Sequence, residues 1–241
     1  MGFYDEISKY YDYIFPANKA QMLFLQNLLT KDQKTVLDVA CGSGNYSIEL
    51  AKAGYDVTAI DSTKEMIEKL RQKAQKEKLN IKSYICDMRE IINISPLKYH
   101  LIFCIGNSIV HLNSIEEITD VLRQMKSLLN KNGSLVLQII NYDRIINFGV
   151  TELPKIENKD IGLEFERKYE FSKDKNIINF NTKLKVKEGV YRNSIELLPI
   201  KSLEFENILL NAGFKTYKFY GDFNYSPYNE KSYILLLEVR N

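Results

Sequence analysis

Thr35-Val36-Leu37-Asp38-Val39-Ala40-Cys41-Gly42-Ser43-Gly44-Asn45 decides how this 241-residue chain folds. A short β-branched and aliphatic run ends in a turn with two glycines, and residues 46–53 then carry a helical pattern. Gly42 and Gly44 let the backbone turn sharply and put no Cβ in the way of a ligand. The helix start beyond them offers free N–H groups and the positive end of a helix dipole. A second strand, Asp56–Asp61, closes on a carboxylate 17 residues after Gly44, where both hydroxyls of a ribose can be gripped. Strand, glycine turn, helix, strand and acid together predict an adenosine-type ligand at the switch point of a doubly wound sheet.

Working outward, residues 64–78 place Met66, Ile67, Leu70 and Ala74 at helical spacing. Residues 81–86, 100–105 and 134–140 read as three more strands. A helix over 114–129 begins at Ser114, with Glu117 completing a capping box and Gly133 closing the element. Strands alternating with helices imply right-handed crossovers and a parallel sheet covered on both faces. Residues 163–171, 178–186 and 190–198 switch to period two, which predicts an antiparallel meander with one wet face. A helix over 202–212, stopped by Gly213, and strands over 214–220 and 233–239 then resume the earlier pattern. The fold class expected is α/β: a doubly wound, seven-stranded, mostly parallel sheet with an inserted antiparallel β meander. Residues 1–33, two helices broken near Pro16, form an entrance segment; 34–143 with 201–241 form the ligand-binding unit; 144–200 form the insertion.

Composition excludes several classes. Apolar residues make up 45% and charged residues 27%, enough for a sizeable core. The 33 Lys and Arg against 31 Asp and Glu leave a net charge of +2, without the basic excess that a phosphate backbone calls for. No apolar run approaches the ~20 residues of a membrane helix, and the first residues do not read as a signal peptide. Cys41, Cys86 and Cys104 are widely spaced in apolar runs, which suggests neither a disulfide framework nor a metal site. A cytoplasmic protein is expected. No nucleic-acid, membrane or metal partner is expected, and further copies of the chain are a possible one.

Two cofactors compete for the glycine turn. A dinucleotide site wants G-x-G-x-x-G, and here Ser47 holds the third glycine position. Asp38 would also repel a pyrophosphate. S-adenosyl-L-methionine carries no phosphate, and its methionine end bears an ammonium that such a carboxylate can hold. Asp38 therefore favours S-adenosylmethionine over a nicotinamide cofactor.

The 38–44 segment resembles the first motif of class I S-adenosylmethionine-dependent methyltransferases, with Ala40 in place of the first family glycine. The resemblance extends over nearly the whole chain. It implies that Asp38, Ala40, Gly42 and Gly44 cradle the cofactor, that Asp61 with Ser62 binds the ribose, and that Asp87 with Met88 meets the adenine edge. Met66 either lines the adenine or is core; Asp87 is otherwise a solvated strand-end carboxylate. Cys104-Ile105-Gly106-Asn107-Ser108-Ile109-Val110-His111-Leu112, Asn141-Tyr142-Asp143 and Tyr220-Gly221-Asp222-Phe223 are similar to segments of glycine and glycine/sarcosine N-methyltransferases. By that resemblance Ile105 and His111 are cofactor residues, and Asn107, Tyr142 and Tyr220 face the substrate. Asn107 offers a carbonyl oxygen to orient an amine and an amide N–H to hold a carboxylate.

The chain departs from that family at two places. Glycine-binding members carry an arginine just before the Asn-Tyr-Asp segment; here Ile140 stands there, and Arg167 or Arg192 of the meander is the replacement expected. No arginine precedes Arg71, so Lys19 is the stand-in for a contact to the cofactor carboxylate. Residues 4–12 resemble the family's Tyr-Asp entrance helix, with Tyr11 turned to the sulfonium and Tyr10 packing. Tyr11 and Asn107 are the expected catalytic residues. The meander over 161–199 is read as a lid on the substrate, the alternatives being a dimer interface or mere ornament. The reading is methyl transfer to a small molecule, at an amine nitrogen. The alternatives are a hydroxyl acceptor, a protein side chain, or a binder of the cofactor without catalysis.

Overall fold

The computed structural model describes residues 7–94 and 97–241. Tyr4, Asp5 and Glu6 of the entrance motif lie outside the described residues. The central sheet contains β1 (Thr35–Val39), β2 (Asp56–Asp61), β3 (Lys82–Ile85), β4 (Tyr99–Cys104), β5 (Leu129–Ile140), β10 (Thr216–Tyr220) and β11 (Ile234–Arg240). Their spatial order is β10-β11-β5-β4-β1-β2-β3, and β11 runs antiparallel to both of its neighbours. β1 lies in the interior of this sheet, with Asp38 opposite Ala59 on one side and Phe103 on the other. Four of its five residues are buried, the apolar Val36, Leu37 and Val39 together with Asp38.

Helices cover both faces. On one, α5 (Ile115–Leu128) and α7 (Ser202–Asn211) bury Ile118, Leu122, Met125, Phe205 and Leu209 against Leu135, Leu137 and Val239. On the other, α2 (Lys19–Asn27) and α3 (Asn45–Lys52) bring Phe24, Leu25 and Leu50 onto Val36, Leu101 and Val136. Burying each such side chain is worth ~1.5–3 kcal/mol, and this two-sided core fixes the strand ends that carry the site. α4 (Lys64–Lys76) buries the four residues its spacing selected, Met66, Ile67, Leu70 and Ala74. The Ser114 hydroxyl caps α5 by accepting from Glu117 N at 3.2 Å, while Glu117 Oε2 reaches back to Asn113 N.

Three expectations need correcting. Gly133 does not close α5, which ends at Leu128; β5 begins at Leu129 and runs through Gly133. A Cβ on Gly133 would stand 2.9 Å from Asn130 O and 3.0 Å from Tyr99 O, so the glycine serves close packing in an irregular stretch of the β4–β5 pair. A helix absent from the sequence reading, α6 (Tyr142–Phe148), follows β5, with the Asn141 side chain accepting from Arg144 N and Gly149 at φ +64° after it. The insertion has four strands rather than three: β6 (Glu152–Asn158), β7 (Leu163–Ser172), β8 (Ile177–Val186) and β9 (Gly189–Leu197), in that order. β6 contains Pro154 and a register shift between Leu153 and Ile156, which an edge strand tolerates and which hides its period.

The second sheet turns one face inward. Leu163, Phe165, Leu184 and Val186 pack on Ile7, Ile14, Tyr11 and Phe15 of the N-terminal segment, which contains α1 (Tyr11–Ile14). Further along the same face, Tyr169, Ile178 and Leu197 join the main core. The insertion thus closes with the N-terminal segment over the α/β unit.

Candidate functional site

The site gathers at the carboxyl ends of β1, β2, β4 and β5. The backbone after β1 holds left-handed conformations at Ala40 (φ +57°), Gly42 (+55°) and Gly44 (+76°). At Ala40 this costs strain that a glycine would not, and at Gly42 and Gly44 no side chain fits. A Cβ on Gly42 would meet the Tyr11 hydroxyl at 2.5 Å, and one on Gly44 would strike Leu70 Cδ1. Tyr11 therefore lies directly against the glycine turn.

Asp38 is 3% exposed, and its Oδ2 accepts from Ser47 Oγ at 2.6 Å. Burial pushes its carboxyl up to about 7; the Ser47 hydroxyl pulls the other way, and the negative charge of Asp61 adds to the rise. Asp61 Oδ2 accepts from Gly42 N at 2.8 Å and Oδ1 from Thr63 N at 2.9 Å, while burial holds its carboxyl above the usual range. Exposed Ser62 sits beside it. Asp87 caps the turn Met88–Asn93 and forms an ion pair with Arg89 at 2.7 Å, whose hydrogen bonds hold its carboxyl below the ordinary value. Met88 packs against the main core, Ile105 is buried in the opposite one, and Met66 is 1% exposed. His111 ends the short turn Ile109–His111, where burial lowers its pKa.

Asn107 occupies the left-handed region (φ +72°) and is 8% exposed. Its Oδ1 accepts from Ile140 N at 2.9 Å, and its Nδ2 donates to Tyr142 Oη at 3.1 Å. Burial raises the Tyr142 hydroxyl far above its usual pKa. The amide that the sequence reading gave to a substrate thus already ties the loop after β4 to the end of β5 and the start of α6.

Other predicted residues fall elsewhere. Arg192 is exposed on the outer face of β9, paired in register with Lys183, because alternate residues of a strand face opposite ways. Tyr220 donates to Glu238 at 3.1 Å and packs on Phe24 and Tyr225. Lys19 is exposed and lines a cavity of about 820 Å³ with Asp12, Asn45 and Lys73 rather than with Asp38 or Asp61. Arg167 is half-buried on the inner face of β7.

Two features escaped the sequence reading. Ser47, which in the sequence only breaks the G-x-G-x-x-G pattern, supplies the hydrogen bond to Asp38. Lys73 donates to Asp12 at 3.0 Å, to Asn45 Oδ1 at 2.6 Å and to Ser43 Oγ at 3.1 Å; nothing in the spacing of α4 marks it. The cysteines are unpaired, and no cluster able to hold a metal occurs among the described residues. No helix among them is long and apolar enough to cross a membrane.

The donor set suits a phosphate-free nucleoside with a cationic tail. Asp38 is a buried carboxylate that no cation pairs with among the described residues, and the turn beside it excludes side chains. A methyltransferase-domain family matches residues 36–133, which contain that turn. The chain is 28% identical over 200 residues to the glycine/sarcosine N-methyltransferase of Aphanothece halophytica, covering 83% of this chain and 73% of the relative. It is 31% identical over 148 residues to that of Halorhodospira halochloris, covering 61% and 55%. In fold it is similar to an S-adenosylmethionine-dependent methyltransferase from Clostridium acetobutylicum (TM-score 0.81, 16% identity, 99% of both chains). Fold and sequence together support a class I S-adenosylmethionine-dependent methyltransferase. S-adenosyl-L-methionine is its cofactor.

Proposed function

We propose that the chain methylates an amine nitrogen of a small-molecule acceptor, as the glycine/sarcosine N-methyltransferases among its relatives do by name. The observation that carries this reading is the Asn107–Tyr142 pair, two neutral groups hydrogen-bonded at the carboxyl ends of β4 and β5. An amine brings its own lone pair, so it needs orientation and removal of water more than a base. Bound S-adenosylmethionine supplies the activated methyl group. Asp38 would hold its ammonium, Asp61 its ribose hydroxyls, and Asp87 the adenine edge. Tyr11 would border the sulfonium, because its ring lies on Gly42. Asn107 acts as a positioning residue by fixing Tyr142 and the Ile140 backbone.

The acceptor must arrive as the free amine. An acceptor enclosed where the second sheet and the N-terminal segment pack over the strand ends would lose water, which disfavours the ammonium form. Positioning of this kind can supply up to ~7–11 kcal/mol of the barrier lowering. The test is turnover with matched amines and alcohols, following release of S-adenosylhomocysteine and product mass. Methylated amines with untouched alcohols are expected. Transfer to the alcohols alone would overturn the reading.

A further inference from the structure

The inner face of the second sheet is apolar except for one row. Arg167 on β7 stands opposite Thr182 on β8, and Thr182 stands opposite Asn193 on β9. The flanking rows are Phe165, Leu184 and Tyr191 on one side, and Tyr169, Phe180 and Ile195 on the other. Arg167 Nε, Thr182 Oγ1 and Asn193 Nδ2 are all buried without a hydrogen-bond partner, as is the Tyr169 hydroxyl in the next row. Thr182 is only 5% exposed. Burying such groups unpaired is costly, and four on one face exceed what packing would retain without a ligand to satisfy them.

The charge of Arg167 identifies the ligand. Its Nη2 donates to Pro154 O at 2.8 Å, and no carboxylate pairs with it among the described residues. It borders a cavity of about 520 Å³ between β6, β7, α6 and the residue before β11, a volume within the range of small-molecule sites. Four basic and two acidic side chains line that cavity, Arg144 and Arg167 among them; the Arg144 guanidinium lies over the Tyr233 ring at 4.9 Å. Ile140, whose backbone N–H bonds to Asn107, carries an aliphatic side chain by contrast.

We infer that Arg167, with Thr182, Asn193 and Tyr169 around it, anchors a carboxylate of the methyl acceptor, one standing further from the reacting nitrogen than the carboxylate of glycine. The inference rests on the amine reading above and adds where the acid is held. A guanidinium, a hydroxyl and an amide in one row supply the donors that a carboxylate accepts. The acceptor class is then an ω-amino acid rather than an α-amino acid or a simple amine.

The test compares glycine, β-alanine, 4-aminobutyrate, propylamine and phosphoethanolamine as acceptors, and measures binding of each to S-adenosylhomocysteine-loaded protein by calorimetry. The longer amino acids should exceed glycine and propylamine at least tenfold in kcat/KM. Arg167→Met should raise KM for them tenfold or more, with propylamine and cofactor affinity unchanged; Arg167→Lys should restore part of the loss, and Thr182→Val should cost less. An Arg167→Met enzyme with unchanged KM for the amino acids overturns the proposal, as does a preference for phosphoethanolamine. If no amine is methylated, the amine reading fails separately. The anchor then stands or falls on whether 4-aminobutyrate binding to the loaded protein disappears in Arg167→Met.

Discussion

Lys73 Nζ lies 3.0 Å from Asp12 Oδ1 and 2.6 Å from Asn45 Oδ1, so one ammonium joins α4 to the N-terminal segment and to the glycine turn. The Ser43 hydroxyl also donates to Asp12, and Lys69 donates to the Ser8 carbonyl. Burial alone would raise the Asp12 carboxyl, but Ser43 and Lys73 together bring it below its ordinary value; Lys73 itself is lowered by burial. This network holds the segment carrying Tyr11 over the turn.

Lys73→Met should therefore release the N-terminal segment more readily. Asp12 is 45% exposed, so the stability cost is at most about 1 kcal/mol. The larger effect is expected on exchange: cofactor dissociation, followed by stopped-flow displacement, should speed up several-fold. A lowered melting temperature with an unchanged off-rate would show that the network serves packing alone.

Asp38 gives the site a pH dependence whose sign can be worked out. Its carboxyl in the free protein is raised to about 7 by burial, so it binds a proton that the unfolded chain releases near 4. On its account, stability is fullest below about pH 4 and is lost as pH rises through about 7. The proposed contact of Asp38 with the cofactor's ammonium needs the ionised form, so affinity should strengthen from pH 6 to about pH 7.5. Above that the cofactor's own amine, with an α-amino pKa of about 7.7–8.0, begins to lose its charge. Calorimetric titration from pH 5.5 to 9 should give a maximum between the two limits. Asp38→Asn should abolish the acid limb and weaken binding by roughly 1.5–3 kcal/mol. An acid limb that survives in the variant would transfer it to another group.

Asp61→Ala removes the acceptor of the Gly42 and Thr63 N–H bonds as well as the proposed ribose contact. Cofactor affinity should fall by roughly 1–3 kcal/mol, measured by equilibrium titration. Because the glycine turn loses a tie, the melting temperature should drop too. Asp61→Asn keeps an acceptor oxygen for one of the two N–H groups, so it should recover part of the stability. Unchanged affinity in both variants would remove Asp61 from the site.

How much of this was legible in the sequence depended on whether a residue's role was local. The 35–45 stretch announced strand, turn and helix because glycine conformations and apolar runs are local signals, and β2 matched its expected limits. Period two revealed β7, β8 and β9 because each alternates cleanly, whereas Pro154 and a register shift concealed β6. The expectation that Gly133 ends α5 failed because Tyr99, some thirty residues earlier, decides what that glycine is for. The site divides in the same way. Asp38, Gly42 and Asp61 lie on one local unit, but Lys73 and Asp12 meet only through tertiary packing. Arg192 and Arg167 looked equivalent as charges on the meander, and strand parity alone separates them.

Asn107 offers the sharpest test of a positioning role, because its backbone and side chain make separable contributions. Its φ of +72° suits asparagine or glycine, whereas alanine would pay ~1–2 kcal/mol there. Its side chain accepts from Ile140 N and donates to Tyr142, so removing it orphans a backbone N–H and frees the hydroxyl of a buried ring. Asn107→Gly keeps the conformation and deletes the amide; Asn107→Ala loses both. Both variants should therefore lose turnover to a similar extent, by tenfold or more if about 1.4 kcal/mol of orientation is lost. Asn107→Ala should melt lower than Asn107→Gly, and cofactor affinity should stay close to wild type in each. Tyr142→Phe, which leaves Asn107 in place but strands its Nδ2 donor, should reproduce part of the turnover loss and lower the melting temperature as well. If Asn107→Gly keeps full turnover while Asn107→Ala does not, backbone geometry after β4 is the requirement and the amide has no part in orienting the acceptor.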